Sequence, residues 1–316
     1  MIEPTPPPPG PLQSTPVLGD RSGVAAWLQY LGYRTAVGSL VRLSESGQRT
    51  VEGLLAALAY RVDRRHSNAA RRFLAAALPE VSAAEREALV RSSWRHLARV
   101  VVEDAGFNRA VLGRGLREHF EVEWRADVRE ALAEGRGGFF VVPHVGMWEA
   151  VPAIGVALGF SPAFVVSRPP RNRPLSRYAQ RVREARGYGL IHRHGAIERV
   201  VEAVRAGAWV GLMLDQRARG KTVIAPFFGR AAHCERAVPV LVRRLARPVV
   251  LAACYLTERP FHYRVAFDRV LWPADLRTRD PVEIATALNE GMERLILGAV
   301  DQYHWLHDRY RGAPPG

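Results

Sequence analysis

From Gly137 to Val166 the chain is almost wholly apolar, with His144, Glu149 and Ser161 as its clearly polar residues. A run of that length would be enough to cross a bilayer if it formed one helix. Pro143, Pro152 and Pro162 break it up, because an interior proline removes a backbone donor and clashes with the preceding turn. Each remaining piece has the length of a strand or a short helix, so the spacing predicts strand 138–143, helix 148–158 and strand 163–166. A strand that is apolar at every position is buried on both faces, as in a parallel sheet covered by helices.

The same alternation extends on either side. Residues 119–124 alternate as a strand should, and Arg125 to Glu134 form an amphipathic pattern closing at Gly135. Downstream the pattern predicts helix 174–186, strand 188–192, helix 196–206, strand 208–214, helix 236–246, strands 248–257 and 261–268, and helix 281–299, with a terminal segment at 303–310. Strands alternating with helices imply an α/β fold: a largely parallel sheet flanked by helices.

The first hundred residues read differently. Residues 1–18 are proline-rich without an apolar period and are expected to be a disordered tail. From Gly23 to Leu43, Val24, Trp27, Leu28, Leu31, Val37, Leu40 and Val41 recur at helical spacing beside Tyr30, Tyr33, Arg34 and Arg42. That pattern suits a packed helix or one lying in a membrane interface. Two helices follow at 51–62 and 68–78. Another opens at a Ser-x-x-Glu capping box, Ser82 and Glu85, in which each side chain satisfies an amide at the helix start. The expected organisation is a tail at 1–18, an N-terminal helical region at 19–106, the α/β domain at 107–311 and a short tail at 312–316.

Chemistry is expected where strand 138–143 ends, since open α/β sheets bind ligands at the carboxyl edge. His144 stands there inside greasy sequence, and four residues separate it from Glu149. Burying ionisable groups is unfavourable unless they are paired. An imidazole titrating near neutrality can take a proton from a hydroxyl when an acid orients its other nitrogen. His144 is therefore the candidate base and Glu149 its candidate partner. Arg168 follows strand 163–166 and can reach a phosphate or carboxylate over the sheet edge, as acceptor ligand or oxyanion stabiliser. Asp215, ending the apolar run Trp209 to Leu214, could fix an arginine, bind a sugar hydroxyl or cap a turn. Phe228 and Gly229 could line a channel for an apolar chain, and Arg193 could contact phosphate. His192 and His194 share one strand face, but no third metal ligand stands nearby, so no metal or other cofactor is expected. There is no Gly-x-Ser-x-Gly elbow, and neither Cys234 nor Cys254 lies near His144 in sequence. Direct attack by a bound hydroxyl is favoured over a covalent enzyme intermediate.

Four blocks carry a resemblance: PHVGMWE, VVSRPPRNRPL, LDQRARGKTVIAPFFGRAA and YHWLHDRYR, in that order from about Phe107 to Arg311. Together they resemble the lipid A late acyltransferases of the lysophospholipid-acyltransferase superfamily. The resemblance implies the catalytic role for His144 and Glu149, a substrate-binding role for Arg168, Asp215 and Gln216, and a structural or peripheral role for Trp305, His307 and Arg309. It also implies an acyl carrier protein or CoA thioester as donor, and a lipid A-type acceptor. The sequence departs from the family pattern at Met147, often asparagine, at Ser167, often tyrosine, and around His233-Cys234. Family members usually carry an amino-terminal membrane helix; no clear transmembrane segment or signal peptide is read here, so a peripheral position on the cytoplasmic face of the inner membrane is expected.

A formal charge of +14 points to an acidic partner, either an acidic carrier protein or an anionic membrane surface. Of the 45 basic residues only Lys221 is a lysine. Nucleic acid is not expected, because no recognised binding motif or interleaved stacking aromatics accompany the charge. Three other readings remain open at this point. They are an acyltransferase for a different phospholipid or glycolipid, a non-catalytic basic module that binds membrane or nucleic acid, and a metal-dependent hydrolase using His144, His192 and His194.

Overall fold

The computed structural model describes residues 19–113, 115–218 and 220–313; the expected tail at 1–18 lies outside them. The chain opens with four helices, α1 (Val24–Leu40), α2 (Glu45–Val62), α3 (Arg64–Ala77) and α4 (Ala83–Phe107). The capping box forms as read: Ser82 Oγ accepts from the Glu85 amide at 3.3 Å, and the Glu85 carboxylate accepts from the Ser82 amide at 2.9 Å.

Then the period changes. In order come β1 (Phe120–Glu123), α5 (Ala126–Ala133), β2 (Gly138–Val141), α6 (Val151–Ala157), β3 (Ala163–Ser167), α7 (Arg173–Glu184), β4 (Gly189–His192), α8 (Ala196–Arg205) and β5 (Trp209–Leu212). A hairpin, β6 (Thr222–Phe227) and β7 (Arg230–Glu235), precedes α9 (Ala237–Leu245), β8 (Val249–Leu256), β9 (Tyr263–Leu271), α10 (Pro273–Arg277) and α11 (Pro281–Leu297). Apart from the hairpin, the strands form one seven-stranded sheet of order β1-β9-β8-β2-β5-β3-β4. Strands β8, β2, β5, β3 and β4 are mutually parallel; β9 pairs antiparallel with β8 and carries β1 parallel to itself.

Period-two alternation divides the core between the two faces of this sheet. In β8 all eight residues are buried. Val249, Leu251, Ala253 and Tyr255 pack with α3, α4, α8, α9 and α11. Val250, Ala252, Cys254 and Leu256 pack with α5, α6 and the far end of α4. This two-sided burial accounts for the unbroken apolar runs in the sequence. The apolar stretch 137–166 folds as β2, α6 and β3, and among the described residues no helix is long and apolar enough to cross a membrane.

The hairpin was not foreseen, because its strands carry no clean alternation. Its tip is Phe228-Gly229, with φ of 46° and 72°. Two consecutive left-handed residues give the turn whose twist matches that of the flanking strands.

Candidate active site

Strand register builds the centre. β2 and β5 are adjacent and parallel, with Val141 opposite Leu212. His144 and Asp215 each lie three residues past that pair, so parallel neighbours deliver them to the same point on the carboxyl edge. His144 Nδ1 lies 2.8 Å from Asp215 Oδ1, and the His144 amide donates to Asp215 Oδ2 at 2.9 Å. With Nδ1–H committed to the carboxylate, Nε2 is left as the acceptor nitrogen. The Gln216 side-chain nitrogen sits 3.3 Å from it.

Asp215 is 2 % exposed. Burial pushes its pKa up, but the charge of His144, both hydrogen bonds from that residue and the field of Arg309 outweigh burial and hold the carboxyl down at about 2. It is therefore an anion throughout the neutral range. Tyr303 lies beside it, its phenol raised well above the usual range by burial and then by that carboxylate. Fully buried Arg309 donates to the Gln216 carbonyl and to Cys234 Sγ. The His304 amide donates to the His144 carbonyl at 3.0 Å. The C-terminal segment, read from sequence as structural or peripheral, thus holds both members of the pair in place.

Glu149 is not the partner of His144. Its carboxylate pairs with Arg183 of α7 at 3.2 Å, both side chains about a quarter to a third exposed. The intervening loop explains the difference. Gly146 adopts φ of 60°, and a Cβ there would meet the Cys254 carbonyl oxygen at 2.0 Å, so only glycine fits. The Gly146 amide is tied to Gln302 at 3.1 Å and the Met147 amide to Cys254 at 2.6 Å. A 3-10 turn over Trp148–Ala150 then leads into α6. The tied-down loop turns Glu149 toward α7.

Two cavities flank this edge. The first, about 150 Å³, is lined mainly by apolar side chains including Phe140, Phe160, Tyr188 and Trp209, with Glu149, Arg183 and Ser167 as polar members. Trp148 also lines it and packs edge-on against the His144 ring, 5.3 Å between centroids. The second, about 540 Å³, is bounded by Tyr33, Asp104, Asn108, Arg168, Tyr178, Arg183 and Arg186. Arg186 is committed to Asp104 and Asn108 at 2.7 Å each. Arg168 is exposed at this cavity and has no ion-pair partner among the described residues. Arg183 belongs to both walls.

Two further histidines surround Trp148. His96 of α4 lies 5.5 Å from it and His304 6.1 Å, ring to ring. Burial keeps both neutral, with pKa values lowered to about 3 and about 4.

The remaining candidates are not gathered here. Phe228 and Gly229 make the hairpin tip, where Phe228 packs on Phe227 and Trp305 and its amide donates to Glu293 at 2.8 Å; they line neither cavity. Arg193 points to Glu235 at 3.9 Å. His192 and His194 stack on each other, and His192 Nδ1 accepts from the His194 amide at 3.1 Å. No group of three or more metal-ligating side chains occurs among the described residues. Trp148 and Arg183 were not singled out from sequence; Arg183 stands 34 positions from Glu149, and no local pattern joins them.

This arrangement can accept a proton at His144 Nε2, hold the resulting charge against a fixed anion, and place an aliphatic chain and an anionic group on either side. The comparisons agree with an acyl-transfer chemistry. The family model for the bacterial lipid A biosynthesis acyltransferase matches residues 22–312. The lipid A biosynthesis palmitoleoyltransferase of Escherichia coli (strain K12) is 25% identical over 258 residues, covering 80% of this chain and 81% of that protein. The lipid A biosynthesis acyltransferase of Shigella flexneri matches with the same identity and coverage. The match spans the helical region as well as the sheet, and the chain belongs to the bacterial lipid A biosynthesis acyltransferase family.

Proposed function

We propose that the protein moves a fatty acyl chain from an acyl carrier protein thioester, with acyl-CoA as the alternative donor, to a hydroxyl of a lipid A-type phosphosugar. His144 Nε2 takes the hydroxyl proton as the oxygen attacks the thioester carbonyl. The tetrahedral intermediate expels the thiolate, which receives that proton back from the imidazolium. Asp215 keeps the Nδ1–H tautomer and stabilises the imidazolium, as the acid of a hydrolase triad does. The Gln216 amide yields Nε2 to the incoming hydroxyl. No protein nucleophile takes part.

The observation that carries this reading is the His144–Asp215 pair at the carboxyl edge, one indole away from an apolar cavity. The cavity suits an acyl chain, being lined largely by carbon. The second cavity suits an anionic sugar or phosphate, with Arg168 open to it and Arg183 shared with the first. Glu149 aims Arg183 rather than His144. The protein's positive charge fits both an acidic carrier and the anionic cytoplasmic face of the inner membrane.

The test is turnover by purified protein on a panel of acyl carrier protein thioesters and lipid acceptors, with products read by mass spectrometry. One acyl group should appear on a phosphosugar lipid, and His144→Ala should abolish turnover while leaving the melting temperature near that of the wild type. Full activity in His144→Ala would sink the mechanism. Transfer only to glycerol-based acceptors would replace the acceptor class.

A further inference from the structure

The His304 ring stands beside the His144–Asp215 pair and makes no side-chain hydrogen bond among the described residues. Its Nδ1 is sealed from solvent without a partner. Buried polar groups in proteins are nearly always paired, and an apolar side chain would occupy the same place at less cost. Packing alone therefore does not account for a histidine here. The ring touches both other members of the centre, its centroid 6.2 Å from His144 and 6.1 Å from Trp148. His96 also touches Trp148, but both of its nitrogens are sealed, so it cannot meet a substrate.

The backbone holds the His304 ring in place. Val145 and Tyr303 form an isolated antiparallel bridge. On either side of it the His304 amide donates to the His144 carbonyl at 3.0 Å, and the Gly146 amide to the Gln302 carbonyl at 3.1 Å. Ser93 of α4 clamps the same segment, donating to the Tyr303 carbonyl at 3.1 Å. The loop after the base and the segment carrying His304 are thus one short ladder. Donors fixed in this way stabilise a developing charge because they need not reorient during the reaction.

Distance and protonation both suit a donor to the reacting carbonyl. An attacking alcohol lies about 3 Å from its base, and an oxyanion about 3 Å from its donor. With both oxygens on one tetrahedral carbon, base and donor stand roughly 5–8 Å apart, a range that includes the His144–His304 separation. A neutral imidazole carries one N–H and one lone pair. The lone pair is the cheaper of the two to seal away unpaired, which puts the N–H on Nε2. Burial, and then the charge of His144, hold the His304 pKa down at about 4, so the ring stays neutral when His144 turns positive. A neutral imidazole can polarise a carbonyl in this manner. Arg168, the other candidate for an oxyanion, borders the larger cavity instead.

We propose that His304 is a catalytic residue whose Nε2–H donates to the thioester carbonyl oxygen and holds it as an oxyanion in the tetrahedral intermediate. This rests on the acyltransferase reading above. As the alcohol oxygen bonds to the thioester carbon, the C=O electron pair moves onto the held oxygen. When that pair returns, the C–S bond breaks and the thiolate takes the proton from His144. His304 itself gives up no proton.

Steady-state kinetics with an acyl carrier protein thioester test this, together with calorimetric binding of two analogues. One is an alkylphosphonate, whose charged tetrahedral phosphorus imitates the intermediate; the other is the alkyl thioether of the donor, which lacks the carbonyl. His304→Leu should lower kcat by about 10²–10³ with the donor KM near that of the wild type. Phosphonate affinity should fall by roughly tenfold or more, while the thioether binds variant and wild type alike. His304→Gln, which keeps an N–H donor, should recover kcat to within about tenfold of the wild type. The melting temperature of His304→Leu should equal or exceed that of the wild type; if it falls, His304→Phe keeps the ring shape and should show the same loss of kcat. Full kcat in the folded apolar variant, a loss confined to KM, or equal losses in the glutamine and apolar variants overturns the proposal. So does a phosphonate affinity that falls in Arg168→Leu and not in His304→Leu. An inactive His144→Ala beside a fully active His304→Leu overturns only this donor; the reverse pattern overturns only the base. No thioester turnover by the wild type overturns both.

Discussion

Two carboxylates stand near the carboxyl edge of the sheet, and their surroundings give them different work. Asp215 is sealed in, gripped by the His144 ring and amide and flanked by Tyr303 and Arg309. Glu149 is part-exposed at the wall of the apolar cavity, its partner the equally accessible Arg183, which borders both cavities. A buried anion with fixed donors serves a group that must become positive during a reaction, because nothing there has to reorganise. A half-open ion pair is positioned to meet a ligand. Spacing to the histidine points to Glu149, whereas the geometry puts the Asp215 carboxylate on the His144 ring.

Breaking this contrast should produce effects of descending size. The largest is expected from Asp215→Asn, which leaves the shape of the site intact but favours the wrong imidazole tautomer. It should lower kcat by about 10³–10⁴ with KM little changed, as measured by steady-state kinetics. Next, Glu149→Gln and Arg183→Leu should each lower kcat/KM by about a hundredfold through loss of orientation. The double variant should be no worse than either single one, since the two side chains act as one unit. Additive losses would mean that Glu149 has a separate role.

A smaller effect is expected in the apolar cavity. Gly155 of α6 lines it, and a Cβ there would touch nothing within 4 Å. Gly155→Leu should fill space and shift preference toward shorter acyl donors, by roughly fourfold in kcat/KM per methylene excluded, in competition assays with mixed chain lengths.

A separate effect concerns stability and not turnover. His96 is neutral in the folded protein, with a pKa lowered by burial from 6.5 to about 3. As pH falls below about 6.5 the unfolded chain takes up a proton that the folded chain refuses, so stability present above that pH is lost progressively until about pH 3. His96→Leu should flatten this part of the pH profile in denaturant titrations, a change on the order of a few kcal/mol at the acid end.

The fold was legible to the extent that each element leaves a local period. The apolar strands, the amphipathic helices 173–184 and 196–205, and the capping box at Ser82 and Glu85 all follow from side-chain spacing and short-range hydrogen bonds. The β6–β7 hairpin leaves no local period because its strands do not alternate cleanly, and its Phe228-Gly229 tip packs on Trp305 and Glu293. Its left-handed phenylalanine carries none of the usual turn signature. His144 was legible because a polar, titratable residue at the end of an apolar strand contradicts its surroundings.

Its partner was not legible. Asp215 meets His144 because β5 inserts between β2 and β3 in the sheet, so two strands 71 positions apart run side by side in matched register. The sequence by itself determined an α/β chain with a histidine at a strand end and a heavily arginine-rich charge, since composition and periodicity are properties of consecutive residues. Only the tertiary structure decided which carboxylate holds that histidine, which arginine borders both cavities and which helices stay bare. Those outcomes depend on strand order and on a loop pinned at Gly146, which are set by contacts between distant parts of the chain.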